Sequence, residues 1–576
     1  MMPNSECLPS PIVTETVAML FRRSKLVPEQ CPRLFSLLLT LGEETLADSH
    51  VAHKLTEEEK SLLEQRDERL QELLCEENEE DWNLPRHPVL WNRKTGLLYF
   101  SKHRTEERRI EEFVRECLVK NQGGGIVPPT EEEIRGLAPK LKNKEAGDQV
   151  EGVRRCVGKR LAMLTGGPGT GKTTTLGAIL AWEFHQNPGL AVALCAPTGK
   201  AAEQMQRSLG EELKAGLAAA ASGVYEKLAA LSATTTHKLL GISQYRQGLP
   251  KYHKGNPLPY DLVVLDEGSM ADLHLFARLT DALPESGRLL LLGDKDQLES
   301  VETGVVFGDL AEILPDDGKM SLNHNFRSQN IPELVDFAAL LSQGKVEEAK
   351  GNVGHLYANG EGNFRCQAPK PEAFQEMVKE WWKNRSLEVP QEEDYASEEE
   401  EAKAWLAFHD QFKILCALRQ GRSGVEETNR FMENLLHYGQ KKRGLPLLHA
   451  RNDSVTGLQN GDMGVRLGEQ VYFWVTNPEN NQREVKGFSW SMLQEQCEPA
   501  YAMTIHKSQG SSYDHVLVLF PDTQSPLLTR NLLYTAITRA KASCTIWAKE
   551  EFLKEAIQRE SQRVSGLALA FKQPQP

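Results

Sequence analysis

The sequence contains no run of 18 or more apolar residues, which excludes a transmembrane helix of ordinary length. Its opening, MMPNSECLPSPIVTETVAMLFRRSKLVPEQC, lacks the basic-then-apolar order of a secretory signal. Cysteine is sparse: ten in 576 residues, with no C-x-x-C pair, so neither a zinc site nor a thioredoxin-like redox centre is expected. Cys195 and Cys416 lie inside apolar runs, where cysteine serves as a small buried hydrophobe. A reducing, cytoplasmic compartment fits this usage. Positive charge is also short. Against 81 acidic residues stand 67 Lys and Arg, a formal charge of −14. A chain coated in nucleic acid needs basic surface, so any such contact must lie in a local cleft. The acidic residues crowd into Glu57–Glu80 and Glu388–Glu401, which read as solvated. The remaining composition, 40% hydrophobic and 26% charged, is that of a globular protein. At about 150 residues per domain the length allows three or four domains.

From Met1 to about Gln122 the pattern predicts helices broken by Pro-containing loops, without a chemical motif. Within it, Trp82–Phe113 predicts a short strand pair followed by an amphipathic helix. Trp82, Trp91, Tyr99 and Phe100 there are of the types favoured as interface anchors. Gly123–Gly125 and Pro128-Pro129 form a natural linker. Beyond it, short Val-, Leu- and Ala-rich runs alternate with helical stretches at 161–167, 191–199, 261–269 and 288–297. These read as parallel strands buried on both faces of a doubly wound α/β sheet. A second series begins near 412–419 and returns at 515–521 and 544–548. It encloses a Gly- and Asn-rich, alternating stretch near 440–500 that reads as a small β insert. The expected division is 1–122, 123–330 and 331–576.

Gly166-Gly167-Pro168-Gly169-Thr170-Gly171-Lys172-Thr173 satisfies G-x-x-x-x-G-K-[ST] between a predicted strand and a predicted helix opening at Thr174. The glycines let backbone N–H groups turn inward around phosphates, aided by the helix N-terminus. Residues 166–174 are therefore the nucleotide-binding candidates. Lys172 should reach the β- and γ-phosphates, and the Thr173 hydroxyl should ligate Mg²⁺. Leu262–Glu267 supplies the acids expected at the end of a neighbouring strand. Asp266 is expected to hold Mg²⁺ and Glu267 to orient or deprotonate the attacking water. Gln297, at the tip of a third strand, is placed to sense hydrolysis. These features predict a Mg²⁺-dependent NTPase, and by themselves they do not separate a helicase from a transporter ATPase or a GTPase.

Further stretches stand in order: APTGKAA (196–202), TTTHKLLG (234–241), LNHNFRS (322–328), TIHKSQG (504–510) and LLYTAITRAK (532–541). Together with DEGSM, GDKDQLESVETG and ILCALRQGRSGVEETNR they resemble the RecD helicases of superfamily 1, over some 70% of the chain. The resemblance implies two RecA-like lobes after a mostly helical N-terminal domain. It further implies a hairpin insert near 242–260 in the first lobe and an SH3-like insert near 440–500 in the second. ATP would bind between the lobes, with single-stranded DNA crossing both. Gln149 would recognise adenine, while Arg327 and Arg539 would approach the γ-phosphate, where growing charge calls for a guanidinium. Pro197, Thr198, Thr236, His237, Thr504, His506 and Lys507 would contact DNA without reading its sequence. Family members act on duplex ends and single strands beside RecB-like and RecC-like subunits, so partners of that kind, 5′→3′ polarity and a role in break repair are implied. Ser512 stands where relatives carry a glutamate against the ribose.

Overall fold

The structure is a computed structural model describing residues 10–24, 26–28, 31–46, 49–64, 73–77, 87–120, 126–218, 223–242, 248–300, 303–328, 330–358, 362–370, 390, 394–437, 443–453, 455–476, 483–561 and 563–572. Trp82 and the Gly123–Gly125 linker lie outside them, as do parts of both acidic runs.

The first lobe is a six-stranded, wholly parallel sheet. Its strands run in the order Lys319–Leu322, Leu161–Gly166, Arg288–Gly293, Leu262–Leu265, Val192–Ala196 and Ala233–Thr235. Side chains alternate across a strand, and both faces are apolar here. Ala162, Leu164, Val264 and Leu290 join one core cluster. Leu161, Met163, Val263 and Leu289 join another. This is why the runs read as unbroken hydrophobic stretches instead of alternating ones. Cys195 and Cys416 are both fully buried in such strands.

The second lobe repeats the plan with five parallel strands: Phe364–Gln367, Ala540–Trp547, Tyr513–Leu519, Phe412–Cys416 and Ala502–Thr504. Its first strand was not expected from the sequence. FRCQ is a short edge strand in which only Phe364 and Cys366 are buried, too little for a periodic signal. The 440–500 region is a five-stranded antiparallel sheet, ordered Arg483–Ser489, Gln470–Thr476, Met463–Leu467, Arg443–His449 and Cys497–Pro499. The hairpin expected over 242–260 is reduced to a single bridge, His253 to Asn256, among the described residues, with 243–247 outside them. Pro257 and Pro259 interrupt the ladder, since proline offers no N–H to a partner strand.

The N-terminal region holds the expected strand pair, Val89–Asn92 with Leu97–Phe100, and then the helix Ser101–Lys120. Two more strands complete a four-stranded sheet. Trp91 and Tyr99, offered above as interface anchors, are instead core residues at 3% and 1% exposure, and Phe100 is half-buried. Trp91 packs in one cluster with Val17, Phe21 and Leu38 of the N-terminal helices, and Tyr99 shares the first lobe's core with Ile110, Val114, Met163 and Leu289. No helix among the described residues is long and apolar enough to cross a membrane.

Candidate nucleotide and nucleic-acid site

The phosphate loop joins the Leu161–Gly166 strand to the helix Lys172–Gln186, which opens two residues earlier than the sequence predicts. Gly171 caps that helix at φ 83°, and Gly169 has φ 81°. Both values lie in the left-handed region that glycine adopts without penalty. A Cβ at Gly171 would collide with the Gln149 amide, and one at Gly169 with the Arg327 side chain. The loop is therefore enclosed from two sides. Gln149 Nε2 donates to Gly171 O at 3.2 Å and lies near Thr170 O at 3.5 Å, so it braces the loop. Lys172 Nζ donates across the loop to Gly166 O and Gly167 O, at 2.5 and 3.2 Å. Thr173 is half-buried at the start of the helix. The Thr174 hydroxyl points elsewhere: it donates to Glu212 Oε1 at 2.8 Å, which leaves only its backbone for phosphate.

Asp266 and Glu267 follow the Leu262–Leu265 strand into the same space. Burial, and next the charge of Glu267, push the Asp266 carboxyl up, while Lys172 pulls it down. Two crowded acids beside one lysine form a site that a divalent cation would relieve, and carboxylate plus hydroxyl oxygen suit Mg²⁺. Asp266 and Thr173 would hold it. Glu267 has φ 49°. A non-glycine residue in that region costs about 1–3 kcal/mol and is sustained where a side chain must be aimed.

Gln297 stands one step back from the position expected of it. At 2% exposure its Nε2 donates to Asp294 Oδ2 at 2.9 Å. Tyr534 Oη, from the second lobe, donates to the same oxygen at 3.1 Å. Asp294 and Tyr534 thus form an interlobe contact behind Gly167, where an added Cβ would lie 2.7 Å from Tyr534 Oη. Neither residue was singled out in the sequence. The only available signal was their presence inside GDKDQ and LLYTAITRAK.

Arg539 is 3% exposed. Its Nε donates to Thr535 O at 3.0 Å and its Nη1 to Ser511 O at 3.1 Å, but the buried Nη2 has no partner. Burial lowers its affinity for the proton, and the nearest opposing charges are Glu267 and Asp294. Arg327 sits close enough that burial, then the Arg539 charge, depress it too. Both guanidiniums remain charged at neutral pH. Two such groups held together in a cleft favour a polyanion between them. Asn325 steadies this corner: Nδ2 donates to Pro168 O at 3.2 Å, and Oδ1 accepts from Arg327 N at 2.8 Å.

On the nucleic-acid side, Thr198 caps the helix Gly199–Lys214, accepting from Ala201 N at 3.2 Å, with Pro197 just before it. Thr504 accepts from Lys507 N at 3.2 Å, and Lys507 Nζ lies 3.3 Å from Glu498. These two segments meet across the cleft, since a Cβ on Gly510 would lie 3.8 Å from Ala201 Cα. Gln459 of the β insert presses on Gly199. His506 is half-buried and held below the usual histidine range by burial and by Arg563. His237 is exposed, and burial of its ring face lowers it as well. Thr236 is 0% exposed beside the Cys195 thiol. Cys195 belongs to the neighbouring strand Val192–Ala196, so Thr236 is turned into the lobe while His237 and Lys238 are exposed.

Residues 145–361 match the family model described as an AAA domain, and 499–547 match that of the UvrD-like helicase C-terminal domain. The RecBCD enzyme subunit RecD of Mycolicibacterium smegmatis is 34% identical over 491 residues, 82% of this chain and 81% of that protein. That of Mycobacterium tuberculosis is 32% identical over 513 residues, 84% and 82% respectively. The ATP-dependent RecD2 DNA helicase of Deinococcus radiodurans is 28% identical, covering 77% of this chain but 54% of its own length. A Bacteroides Pif1 bound to single-stranded DNA aligns over 73% of this chain and 93% of its own at 15% identity, with a TM-score of 0.37. With a relative so similar across four-fifths of both chains, this chain belongs to the RecD family of ATP-dependent DNA helicases.

Proposed function

We propose that this chain is an ATP-driven 5′→3′ translocase on single-stranded DNA. It works as one subunit of a RecBCD-type helicase–nuclease that opens duplex ends for repair and recombination in the cytoplasm. The subunit reading is favoured over a stand-alone helicase by similarity: the chain is 34% and 32% identical to the two mycobacterial RecD subunits but 28% identical to the RecD2 relative. Nuclease chemistry then belongs to the assembly, and RecB-like and RecC-like chains are the partners.

One observation carries the motor reading: the unpartnered Nη2 of Arg539, beside Arg327 and facing Glu267 and Asp294. A buried guanidinium hydrogen left unpaired is costly, and a phosphoryl oxygen would satisfy it. On this reading Lys172 and the loop amides of 166–173 bind the β- and γ-phosphates. Bound Mg²⁺ would neutralise phosphate charge next to Asp266 and Thr173. Glu267 holds the attacking water and takes its proton. Arg327 and Arg539 stabilise charge that grows on the transferring group as the lobes close. Gln297 acts through Asp294, reporting phosphate loss to Tyr534 across the lobe boundary. Thr198, Thr504, His237 and Lys507 hold the strand by its backbone, with Pro197 and His506 lining the track, and each closure then moves it.

ATP turnover measured with and without single-stranded DNA tests the motor, and unwinding of duplexes tailed at either end tests its direction. Co-purification at native expression tests the assembly. Turnover indifferent to DNA would reject the motor, and unwinding only from 3′ tails would reject the polarity. A chain that purifies alone and unwinds unaided would favour the RecD2-like alternative.

A further inference from the structure

The described C-terminal residues cross from one lobe to the other within a few positions. Arg559 Nη1 donates to Ser525 O at 2.5 Å, and Ser561 N lies 3.5 Å from Asn531 Oδ1, both on the second lobe. From Arg563 onward the chain bonds to the first lobe and the N-terminal region. Val564 O accepts from Val51 N at 2.9 Å, and Ser565 Oγ lies 2.7 Å from Asp309 Oδ2. The buried Glu107 carboxylate accepts from Gly566 N and Leu567 N at 2.8 and 3.1 Å. The helix Leu567–Lys572 then enters the first lobe's core through Leu567.

Arg563 occupies the crossing itself. Its Nη2 donates to Ser300 O at 2.6 Å and its Nη1 to Gly304 O at 3.1 Å, while Nε lies 3.1 Å from Glu299 Oε2. Those three residues end the loop that begins at Asp294 and Gln297. The same loop is gripped from the second lobe at Leu298. Leu298 N donates to Thr535 Oγ1, and Leu298 O accepts from Gln509 Nε2, each at 2.8 Å. On its other side Arg563 lies near enough to His506 for its charge to depress that imidazole. One side chain therefore holds the far end of a loop whose Leu298 is bonded to Gln509 of the DNA-side segment, at the point where the chain changes lobes.

We propose that Arg563 is the positioning residue that couples strand binding at Thr504–Gln509 to the nucleotide-side residues Asp294–Ser300. The inference rests on the motor reading above. Two hydrogen bonds, with the Glu299 carboxylate alongside as counter-charge, fix the loop's far end to a strap anchored on the first lobe. Movement of the second lobe on DNA is thereby passed through Leu298 into Gln297 and Asp294, instead of being absorbed by a slack loop. Lysine would keep the charge beside Glu299 but cannot span both carbonyls.

Arg563→Gln, Arg563→Lys and Glu299→Gln, each in the full chain together with its co-expressed partner subunits, test this. ATP turnover is read without DNA and with saturating single-stranded DNA, alongside ATP half-saturation and thermal unfolding. Arg563→Gln is expected to keep DNA-free turnover and ATP half-saturation within about twofold, yet lose about tenfold of DNA stimulation, the scale of one lost charge-assisted contact. Arg563→Lys should recover part of the stimulation. Glu299→Gln should show the same selective loss from the partner side, and it supplies the test if Arg563→Gln does not fold. Equal falls in DNA-free and DNA-stimulated turnover, or full stimulation in all three variants, would overturn the coupling role. A wild-type enzyme that DNA does not stimulate would instead overturn the motor reading, and the coupling with it.

Discussion

The N-terminal region and the β insert are both additions to a lobe, yet they are attached in opposite ways. Ile110, Val114 and Cys117 of the N-terminal helix share one cluster with Leu161, Met163 and Leu289 of the first sheet, and Leu567 completes it. They share the cover of that sheet face with the first lobe's own Phe276, Leu279, Phe307 and Leu310. The insert instead carries much of its own core: Leu447, Leu458, Val471, Phe473 and Leu493 cluster among themselves. Its other face rests on the helix Glu398–His409 through Trp405 and Phe408. A region that supplies nine of the 33 buried residues in that cluster cannot be removed as a module, however clearly the sequence sets it apart.

The largest expected effect comes from excising each region. Removing 1–122 uncovers part of one face of the first sheet, where each exposed Leu or Met costs about 1.5–3 kcal/mol. The remainder should be recovered insoluble or without a cooperative thermal transition. Replacing 443–499 with a short flexible linker should leave a soluble chain that still binds ATP. Soluble yield and calorimetry compare the two, and a soluble, cooperatively melting 123–576 fragment would erase the distinction.

Next come the two ends of the phosphate site. Arg539→Ala should leave ATP binding nearly intact but lower turnover by about 10³–10⁵, as loss of an arginine finger does. Lys172→Ala should impair both, because its contact is made in the ground state. Filter binding and phosphate release separate these outcomes. Turnover by Arg539→Ala within about threefold of wild type would dismiss the interlobe role.

Smaller effects refine the contrast between shared and private cores. Val114→Ala should lower the main unfolding transition by roughly 1–3 kcal/mol, as loss of buried methyl groups does. Phe473→Ala should cost about 3–5 kcal/mol, but within the insert's own transition, with DNA-free ATP turnover preserved. Differential scanning calorimetry shows which transition moves.

The insert's return to the second lobe is marked by a buried charge. Lys413 Nζ donates to Ala500 O at 3.0 Å, and burial pulls its ammonium down to about 8 from 10.5. Between those values the unfolded chain binds the proton and the folded chain does not, so stability rises with pH across that window. Below about 8 the full penalty applies, and above 10.5 it is gone. Lys413→Met should be more stable by ~3 kcal/mol at pH 7, and the gap should close as pH approaches 10.5. Denaturant melts of both proteins at several pH values measure it. Smallest of all, Ser512→Glu should tighten ATP by ~1 kcal/mol, the worth of one polar contact, as read by fluorescent nucleotide binding. An unchanged affinity would place Ser512 away from the ribose.

Local sequence determined the elements whose chemistry is local. The phosphate loop was legible because its glycines, lysine and threonine lie within eight residues, and Gly169 and Gly171 need φ angles other residues resist. The strands were legible because burial on both faces leaves an unbroken apolar run. Only the tertiary structure decided what depends on distance along the chain. It buried Thr236 and turned Thr174 toward Glu212. It set Gln297 behind Asp294 and brought Tyr534 against Gly167. It also folded the C-terminal strap across the lobes to Arg563's contacts with Ser300 and Gly304. The reason is physical: a periodic pattern says that a face is covered, but the covering partner is chosen by packing between segments hundreds of residues apart.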